Sequence, residues 1–406
     1  MISKSSICGF GMNFQSCHNV VFLGLSHSFE AYYQAIRRCW RFGQNHPVNV
    51  HIITSDTEGS VIANIQRKEK QADAMFTEPL NHMKEFQTIK TEREEMEYIE
   101  DVTSGKGWEL FLGDSVKTID EIADESVGFI IYSPPFPGFY AYTNSPYDMG
   151  NTRNFEEMLD HYKFLIGKDK MLRILKPGRN CCVHLTQGIA FKGIDGYVGL
   201  KDFRGRVISL MEEAGWIYYG EVCIEKNPQL KALRTKDQGL LFKTLATDAA
   251  KSRMAMADYV LQFKKPGDNP EPIKAGKADH LKSSSGGWIT NIEWIKWASP
   301  VWYMHSDDCP DGIRESDVLN ASCARDDQDE RHLCPLQLSV IERCVKLWSN
   351  PRDVVYSPFA GIDSEGVVSL KFERKFIGSE LKPSYYRVAI SNLRNAEKSA
   401  SQNSLF

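Results

Sequence analysis

Short apolar runs alternate with segments of helical periodicity in the middle of the chain. The runs Trp108–Leu112, Val127–Tyr132 and Asn180–Leu185 have the length and composition of buried strands. Apolar residues recur every three or four positions over about 154–175, which predicts a helix, and the alternation continues to residue 225. Strands that alternate with helices predict an α/β fold with a mostly parallel sheet covered on both faces.

The same alternation returns in the last quarter of the chain. An apolar stripe of helical spacing runs from Leu338 to Trp348, strands are predicted at 354–356 and 375–380, and a last helix is predicted at about 384–396. These elements therefore predict a second block of the same α/β type.

Three stretches interrupt the pattern. The chain begins with two strand candidates (19–24 and 48–54) around a helix (28–41), and a charged stretch with few large apolar residues follows. From residue 226 the alternation stops. We therefore predict a small N-terminal unit (1–56), a charged helical linker (57–105), a first α/β half (106–225), an inserted region (226–330), a second half (331–398) and a tail (399–406).

The composition is that of an ordinary globular chain. Of 406 residues, 42% are hydrophobic and 25% are charged, and no apolar run approaches the roughly 20 residues of a membrane span. No basic segment followed by an apolar core opens the chain, so we expect no signal peptide. Ten cysteines without a Cys-x-x-Cys pair predict reduced thiols and no metal site. A cytoplasmic protein fits these features.

One strand candidate ends in residues that could perform chemistry. Val127–Tyr132 runs into Ser133-Pro134-Pro135-Phe136, and two prolines cannot continue a sheet ladder. A hydroxyl, backbone carbonyls and an aromatic ring are thus expected at the carboxyl end of a buried strand, where open α/β sheets bind ligands. A strand-terminating turn without a chemical role explains the motif equally well when it is taken alone.

A second strand end has the pattern of a nucleoside site. The strand at 354–356 leads into the small-residue turn Phe359–Gly366, and the strand at 375–380 ends in Glu380. A tight strand-to-helix turn lets a ligand approach the backbone, and an acid at the next strand end can accept hydrogen bonds from ribose hydroxyls.

Together these motifs resemble those of the amino-methylating DNA methyltransferases, which use S-adenosylmethionine. Ser133–Phe136 matches the catalytic Asp/Ser-Pro-Pro-Tyr/Phe motif, Ser357–Gly361 the Asp-Pro-Phe-x-Gly cofactor loop, and Phe376–Glu380 the ribose-binding strand. The order, with the catalytic motif first, is the circularly permuted one of the β class. The resemblance implies a doubly wound, Rossmann-like methyltransferase sheet with a target-recognition region inserted at 226–330.

The resemblance also implies roles for single residues. Ser133, Pro134, Pro135 and Phe136 would hold an exocyclic amino group of a flipped base, with Phe136 stacked on the base. The cofactor-binding residues would be Asp114, Phe359, Ala360, Gly361, Asp363 and Glu380. Serine rather than aspartate at position 133 resembles the N4-cytosine enzymes more than the N6-adenine enzymes.

One residue departs from the family pattern. The cofactor loop usually has a second glycine two residues after the first, and this chain has Asp363 there. Aspartate adds bulk and negative charge near the expected position of the carboxylate of the cofactor, whereas glycine permits positive φ. The alternative function is therefore a non-catalytic DNA-binding or helicase-accessory module on a decayed methyltransferase fold.

The inserted region begins with a basic stretch. Between residues 225 and 253, seven Lys or Arg residues face three acids. By resemblance to restriction–modification enzymes of bacterial or phage-infected cells, the partner would be double-stranded DNA. The candidate DNA contacts are Lys231, Arg234, Lys236, Lys243 and Arg253. A solvated helix face would carry the same charges.

The N-terminal helix carries a different resemblance. Gln34–Gln44 resembles the last motif of superfamily 2 helicases of the Swi/Snf type, in which Arg38 and Arg41 would face the γ-phosphate of ATP. The chain lacks a Gly-x-x-x-x-Gly-Lys-Ser/Thr loop. The N-terminal unit would therefore be the C-terminal remnant of a helicase, either left from a longer fusion or forming half of a split protein whose motor is a subunit on another chain.

Overall fold

In a computed structural model, part of the 406-residue chain is described. The described residues are 17–23, 36, 39, 46–53, 99–135, 148–150, 152, 155–190, 192–229, 231, 240–247, 254–273, 288–319 and 336–403. They fall into two compact units, one within residues 1–96 and 145–147 and the other within 97–144 and 148–406.

The first unit contains a parallel pair of strands. β1 (Asn19–Leu23) lies beside β2 (Asn49–Ile53), with Asn19 opposite Asn49. Both strands were predicted from their apolar runs, and both are confirmed. Arg38 and Arg41, the helicase-type arginines, lie outside the described residues, so the helicase remnant stays a prediction.

The second unit is built on a mixed sheet of nine strands among the described residues, with a separate two-stranded ribbon. Across the sheet the order is β11-β9-β10-β6-β5-β12-β13-β4-β3, and β7 pairs with β8. The strands are β3 (Ile99–Gly105), β4 (Trp108–Gly113), β5 (Phe129–Tyr132), β6 (Asn180–Thr186), β7 (Gly188–Ala190), β8 (Gly199–Lys201), β9 (Ile217–Ile224), β10 (Asp258–Lys264), β11 (Val301–Trp302), β12 (Val354–Ser357) and β13 (Lys375–Glu380).

Helices connect these strands in the described ranges. They are α1 (Ser115–Thr118), α2 (Phe155–Ile166), α3 (Met171–Ile174), α4 (Lys192–Asp195), α5 (Phe203–Glu213), α6 (Phe242–Thr247), α7 (Asn291–Trp297), α8 (Leu338–Trp348), α9 (Ser364–Lys371) and α10 (Pro383–Asn403). None of the helices in the described part of the chain is long and apolar enough to cross a membrane.

The two predicted α/β halves form one continuous sheet. β12 pairs in parallel with β5, and β13 pairs in parallel with β4. Two strands from the end of the chain thus lie between two strands that precede residue 133. The interior is apolar, as the runs predicted: Phe129, Val355 and Phe376 are at most 1% exposed. This arrangement places motifs that are about 220 residues apart in the sequence at neighbouring strand ends.

A buried ion pair aligns the opposite, amino ends of the same strands. Arg179 is fully buried; its Nε donates to the carbonyl oxygen of Gly128 over 2.9 Å, and its Nη2 pairs with Asp353. The same carboxylate accepts the backbone N–H of Asn350 over 2.6 Å. Arg179, Gly128 and Asp353 precede β6, β5 and β12, so the three strand entrances are joined by one group.

The structure corrects several predicted boundaries. Residues 99–105, which we expected in a helical linker, form β3, because Lys106-Gly107 turns the chain back and Gly107 supplies the positive φ of 86°. The inserted region contributes β10 between β9 and β6, a strand with four of its seven residues buried that the break in the sequence pattern obscured. A turn at 167–170 divides the helix expected at 154–175, and α10 extends to Asn403, through most of the predicted tail.

Candidate active site

Five neighbouring parallel strands end at one edge of the sheet. β6, β5, β12, β13 and β4 run in the same direction, so their carboxyl ends lie side by side. The predicted catalytic serine follows β5, the predicted cofactor loop follows β12, Glu380 ends β13, and Asp114 follows β4. The structure therefore brings the two predicted halves of the site to a common edge, as open α/β sheets require for a binding site.

The catalytic motif and the cofactor loop are in contact. The ring of Tyr132, the last residue of β5, packs against the ring of Phe359 with 5.7 Å between centroids. Pro134 and Pro135 are buried and Ser133 is half-buried, while Phe136 lies outside the described residues. Tyr132 also hydrogen bonds to the hydroxyl of Tyr162 on α2, which fixes the ring that bridges the two motifs.

Ser133 is the first member of a row of polar side chains. Its Oγ lies 2.8 Å from Nδ1 of His184 on β6. Nε2 of His184 lies 3.5 Å from Oδ2 of Asp258 on β10, a distance that is long for a hydrogen bond. Two ammonium groups, of Lys226 and Lys231, each lie 2.8 Å from the carboxylate of Asp258. The row thus runs along the carboxyl edge of the sheet, from the end of β5 across β6 to the start of β10.

The charges in this row follow from burial and from their neighbours. Burial alone would raise the pKa of Asp258, but Lys226, Lys231 and His184 hold it well below its usual range. Burial lowers the pKa of His184, and the two ammonium groups act in the same direction, against the carboxylate of Asp258. Near neutral pH the row therefore contains a neutral imidazole between a hydroxyl and a carboxylate.

Sequence reasoning did not identify His184 or Asp258 as site residues. His184 lies in Asn180–Thr186, an otherwise apolar strand predicted correctly, and it is close to the carboxyl end of that strand. A titratable residue at that end of a buried strand was the available signal. Asp258 could not be assigned, because its pairing with β6 and β9 depends on an insertion that the sequence pattern did not show to be part of the sheet.

The cofactor loop presents an open backbone. Gly361 has φ 56°, and a Cβ built there meets no described atom within 4 Å. Its N–H donates to Oε2 of Glu380 over 2.7 Å, and the N–H of Lys382 donates to Oε1 of Glu380 over 2.7 Å. Each carboxylate oxygen keeps a second acceptor position. The loop therefore offers room at Gly361 and two fixed acceptors at Glu380.

Burial shifts the acids at this edge upward. It raises the pKa of Glu380 to about 7, although the two backbone N–H groups oppose the shift. It likewise raises the pKa of Asp114 to about 6, against the hydrogen bond from the N–H of Val116. Asp114 also caps α1 through that hydrogen bond. Carboxyls that titrate near neutrality at a strand edge are typical of functional sites.

Asp363 performs a task that the sequence did not reveal. Its φ of 74° places it in the left-handed region, the conformation for which the family pattern uses glycine. Its Oδ1 accepts the N–H of Gly366 over 3.2 Å and so caps α9, and the side chain is fully buried. Burial raises the pKa of this carboxyl well above its usual range, and the nearby Glu365 and Glu380 add to the shift. Burial therefore favours the uncharged form of Asp363 beside the expected position of the cofactor.

The residues present fit S-adenosylmethionine, the cofactor that the sequence resemblance implies. The hydroxyls of Ser357 and Ser364 are buried and have no hydrogen-bond partner among the described residues. They flank the loop whose Gly361 leaves open space, and Glu380 supplies acceptors for ribose hydroxyls. Buried polar groups without partners are costly in a finished fold, so a polar ligand that pairs with them is favoured.

The candidate DNA contacts have different environments. Lys231 is not on an open basic face: its side chain is 12% exposed and pairs with Asp258, so the prediction for this residue is corrected. Its charge is needed inside the protein, because Asp258 would otherwise be a buried carboxylate with one partner fewer. Lys243 is exposed on α6. Arg234, Lys236 and Arg253 lie outside the described residues.

Comparison with known proteins gives relatives of one kind. The chain is 23% identical over 299 residues to the type II methyltransferase M.MjaI of Methanocaldococcus jannaschii. This alignment covers 68% of the present chain and 87% of M.MjaI. It is 34% identical over 67 residues to the DNA adenine methyltransferase YhdJ of Escherichia coli, and this shorter alignment covers 16% of the present chain and 23% of YhdJ.

Solved structures of similar proteins include DNA methyltransferases. PvuII DNA methyltransferase, described as cytosine-N4-specific, aligns with 73% of this chain and 93% of its own, with a TM-score of 0.49 and 16% identity. TTHA0409 of Thermus thermophilus, solved with S-adenosylmethionine, aligns with 71% of this chain and 95% of its own, with a TM-score of 0.48 and 18% identity.

A family model supplies the assignment. The model described as DNA methylase, of the N6- and N4-methylating type, matches residues 127–391. This range contains Ser133, the cofactor loop and Glu380, the residues that the fold brings to one edge. Since the match extends over more than half of the sequence, the chain belongs to the DNA amino-methyltransferase family, whose methyl donor is S-adenosylmethionine.

Proposed function

We propose that this chain methylates an exocyclic amino group of a base in double-stranded DNA, with N4 of cytosine favoured over N6 of adenine. The observation that carries the proposal is the contact between Tyr132 and Phe359, which joins the Ser133 motif to the cofactor loop. A serine at one strand end and a nucleoside-type loop at the next are the two components that this reaction needs.

The residues of the motif prepare a weak nucleophile. The lone pair of an exocyclic amine is delocalised into the base, so the nitrogen must be held toward tetrahedral geometry. Ser133 Oγ and the carbonyl oxygen of Pro134 would accept the two amino protons, and Phe136 would stack on the base. S-adenosylmethionine supplies a methyl group on a positively charged sulfur, which leaves with the bonding electron pair. Correct positioning can contribute about 7–11 kcal/mol at its limit.

The preference for cytosine rests on Ser133, because a serine at this position resembles the N4-cytosine enzymes more than the N6-adenine enzymes. A serine hydroxyl is uncharged and can accept one proton while donating its own, whereas an aspartate at this position only accepts. In the present site Nδ1 of His184 lies 2.8 Å from that hydroxyl, and in the Nε2–H tautomer it would accept the hydroxyl proton. A relative named as an adenine methyltransferase keeps N6-adenine as the second product to be measured.

Recognition of the target falls to the region between the two halves. The base must leave the duplex to reach Ser133, which requires contacts to the surrounding DNA. We assign this to the parts of 226–330 outside β10 and β11, with Arg234, Lys236, Lys243 and Arg253 as phosphate contacts. The permuted order of the motifs, the cytoplasmic location and a helicase subunit on another chain remain predictions from the sequence.

Radiolabelled methyl transfer to DNA tests the proposal. The wild-type protein is expected to label DNA, and Ser133→Ala is expected to lower the rate by about 100-fold or more, since one proton-transferring group contributes that much. Mass spectrometry of the digested DNA would then identify N4-methylcytosine or N6-methyladenine. Full activity of both Ser133→Ala and Phe136→Ala would contradict the assigned site.

A further inference from the structure

The proposed holding of the base by Ser133, Pro134 and Phe136 does not use the row of polar side chains behind Ser133. This row comprises His184, Asp258, Lys226 and Lys231, on or after three different strands. Asp258 is 7% exposed, and the side chains of Lys226 and Lys231 are 6% and 12% exposed. Two ammonium groups and one carboxylate are expensive to bury, and an apolar cluster of the same size would serve stability at least as well.

The geometry selects one state of the imidazole. Asp258 is opposite Thr186 in the register between β10 and β6, and His184 is opposite Val260, so the two polar side chains are diagonal neighbours across the strand pair. Nε2 of His184 has no hydrogen bond among the described residues, and Asp258 supplies the acceptor 3.5 Å away. With Nε2 protonated toward Asp258, Nδ1 is the acceptor that faces the hydroxyl of Ser133.

The proposed reaction creates a need for such an acceptor. An amine that gains a methyl group carries a positive charge until it loses a proton. A serine hydroxyl accepting that proton must release its own, because a doubly protonated hydroxyl is not stable in water. A neutral imidazole 2.8 Å away can take it.

We propose that His184, oriented by Asp258, accepts the proton that the target amine loses through Ser133. The inference rests on the proposed function. Asp258 and the two lysines act through His184, and His184 acts through Ser133, so all four are positioning and proton-accepting groups behind the residue that touches the base. In this arrangement Ser133 carries the proton, His184 is the base that hydrogen bonds to it, and the carboxylate of Asp258 orients the base.

Each bond that forms in this transfer is matched by one that breaks. The carbon–sulfur bond of the methyl donor breaks with its electrons on sulfur, and the amine lone pair forms the new carbon–nitrogen bond. The amine then gives one proton to Ser133 Oγ, while Ser133 gives its own proton to Nδ1 of His184. The resulting imidazolium is stabilised by the carboxylate of Asp258, which stays unprotonated, and it later releases the proton to solvent.

Lys226 and Lys231 set the pH range in which His184 can accept the proton. If Asp258 were alone beside His184, it would favour the imidazolium and leave no acceptor at neutral pH. The two ammonium groups offset the negative charge of Asp258, and together with burial they keep the imidazole of His184 neutral in the resting site. These are the charged groups that the structure places around His184 from β10 and from the segment after β9.

The pH profile of His184→Asn separates a relay from a structural role. Asparagine keeps an acceptor for the Ser133 hydroxyl but cannot take a proton, so the fold and the Ser133 contact are preserved. With S-adenosylmethionine kept saturating at every pH, so that Glu380 does not limit the rate, single-turnover methyl transfer by the wild type is expected to fall on the acid side, below the ordinary pKa of histidine, as His184 becomes protonated. In His184→Asn the rate should be about 100-fold lower and lose that acid limb, with unchanged affinity for DNA and S-adenosylmethionine.

His161→Asn is the matched control. His161 is a buried histidine on α2 of the same unit, outside the row. The control should keep both the rate and the acid limb, which excludes a general effect of replacing a buried histidine.

A second measurement does not depend on catalysis. Nitrogen NMR of histidine-labelled protein is expected to show His184 as the neutral Nε2–H tautomer at pH 7 and an imidazolium only at lower pH. An Nδ1–H tautomer, or an imidazolium at pH 7, would overturn the relay whatever the activity. Transfer at the wild-type rate by His184→Asn, with the acid limb intact, would overturn the relay and leave the proposed function standing. Absence of transfer by the wild type to any DNA would overturn both.

Discussion

At the scale of single residues, Asp363 shows how a departure from a family pattern can be absorbed. The position adopts φ 74°, so the backbone has the shape for which glycine is usually needed. An aspartate tolerates that shape at a cost of about 1 kcal/mol and gains a helix cap in return. Because the carboxyl is buried beneath the start of α9 and has a raised pKa, its charge is a weak obstacle to the cofactor.

Replacing Asp363 tests this conclusion. Asp363→Gly loses the cap hydrogen bond but relieves the left-handed strain, so we expect the free energy of unfolding to change by less than about 1 kcal/mol. Calorimetry should give an affinity for S-adenosylmethionine within about threefold of the wild type, equivalent to about 0.7 kcal/mol. A gain of tenfold or more in the glycine variant would show that the aspartate repels the cofactor.

Glu380 predicts a pH dependence of cofactor binding. Its pKa is raised to about 7 without ligand, and ribose hydroxyls donate to the ionised form. Protonation therefore competes with binding, and the affinity for S-adenosylmethionine should fall as pH falls, by up to about tenfold from pH 8 to pH 6. Calorimetry in buffers of different ionisation enthalpy would detect the accompanying proton release. An affinity that stays constant over this range would contradict the assignment of Glu380.

At the scale of elements, the site depends on strands that are held in line at both ends. At the carboxyl edge, the rings of Tyr132 and Phe359 join β5 to the loop after β12. At the amino edge, Arg179 and Asp353 join the entrances of β5, β6 and β12. A strand displaced by one residue would turn every side chain to the other face and separate Ser133 from His184.

Removing the ion pair between Arg179 and Asp353 at the amino edge should lower the free energy of unfolding considerably. Asp353→Ala leaves the fully buried guanidinium of Arg179 without its carboxylate, and breaking a buried pair costs about 3–5 kcal/mol. Urea denaturation would measure the loss. The control, Asp160→Ala, removes an exposed partner of Lys163 on α2 and should cost less than about 0.5 kcal/mol. Equal small losses of stability in the two variants would show that the ion pair between Arg179 and Asp353 is dispensable.

At the scale of the whole molecule, several buried acids make stability depend on pH. Burial raises the pKa of Asp114 to about 6, of Glu380 to about 7 and of Glu365 to about 8. Through these three carboxyls, the folded state therefore binds more protons than the unfolded state between pH 5 and 8. The free energy of unfolding falls as pH rises through this window, by about 1.4 kcal/mol per group and pH unit at most. The lowered pKa of His184 opposes this trend in the acid part of the window, and the depressed pKa of Asp258 acts only below the window.

The expected result is a protein that resists urea better at pH 5.5 than at pH 8. Glu365→Gln should reduce the difference between the two pH values, because a buried amide does not titrate. Glu121→Gln, at an exposed position after α1, should leave the difference unchanged. Greater stability at pH 8 in all three proteins would contradict the assignment of raised pKa values to these carboxyls.

The sequence predicted the parts of the site that lie in contiguous motifs. Ser133 to Phe136, the loop at 357–361 and Glu380 each lie at the carboxyl end of an apolar strand. The direction of parallel strands is enough to place such strand ends together. The linker at 99–105 and the strand at 258–264 were missed, because an edge strand and an inserted strand have weak local patterns and gain their order from partners elsewhere.

Apolar periodicity and short motifs are local properties, so the sequence predicted the five parallel strands of the site, the candidate residues at their carboxyl ends and the resemblance to a methyltransferase family. Tertiary structure decided what stands behind Ser133. His184, Asp258 and Lys226 come from separate segments, and only the pairing of β5 with β6 and of β6 with β10 and β9 brings them into one row. Hydrogen bonds between strands fix that pairing, and no single segment encodes it.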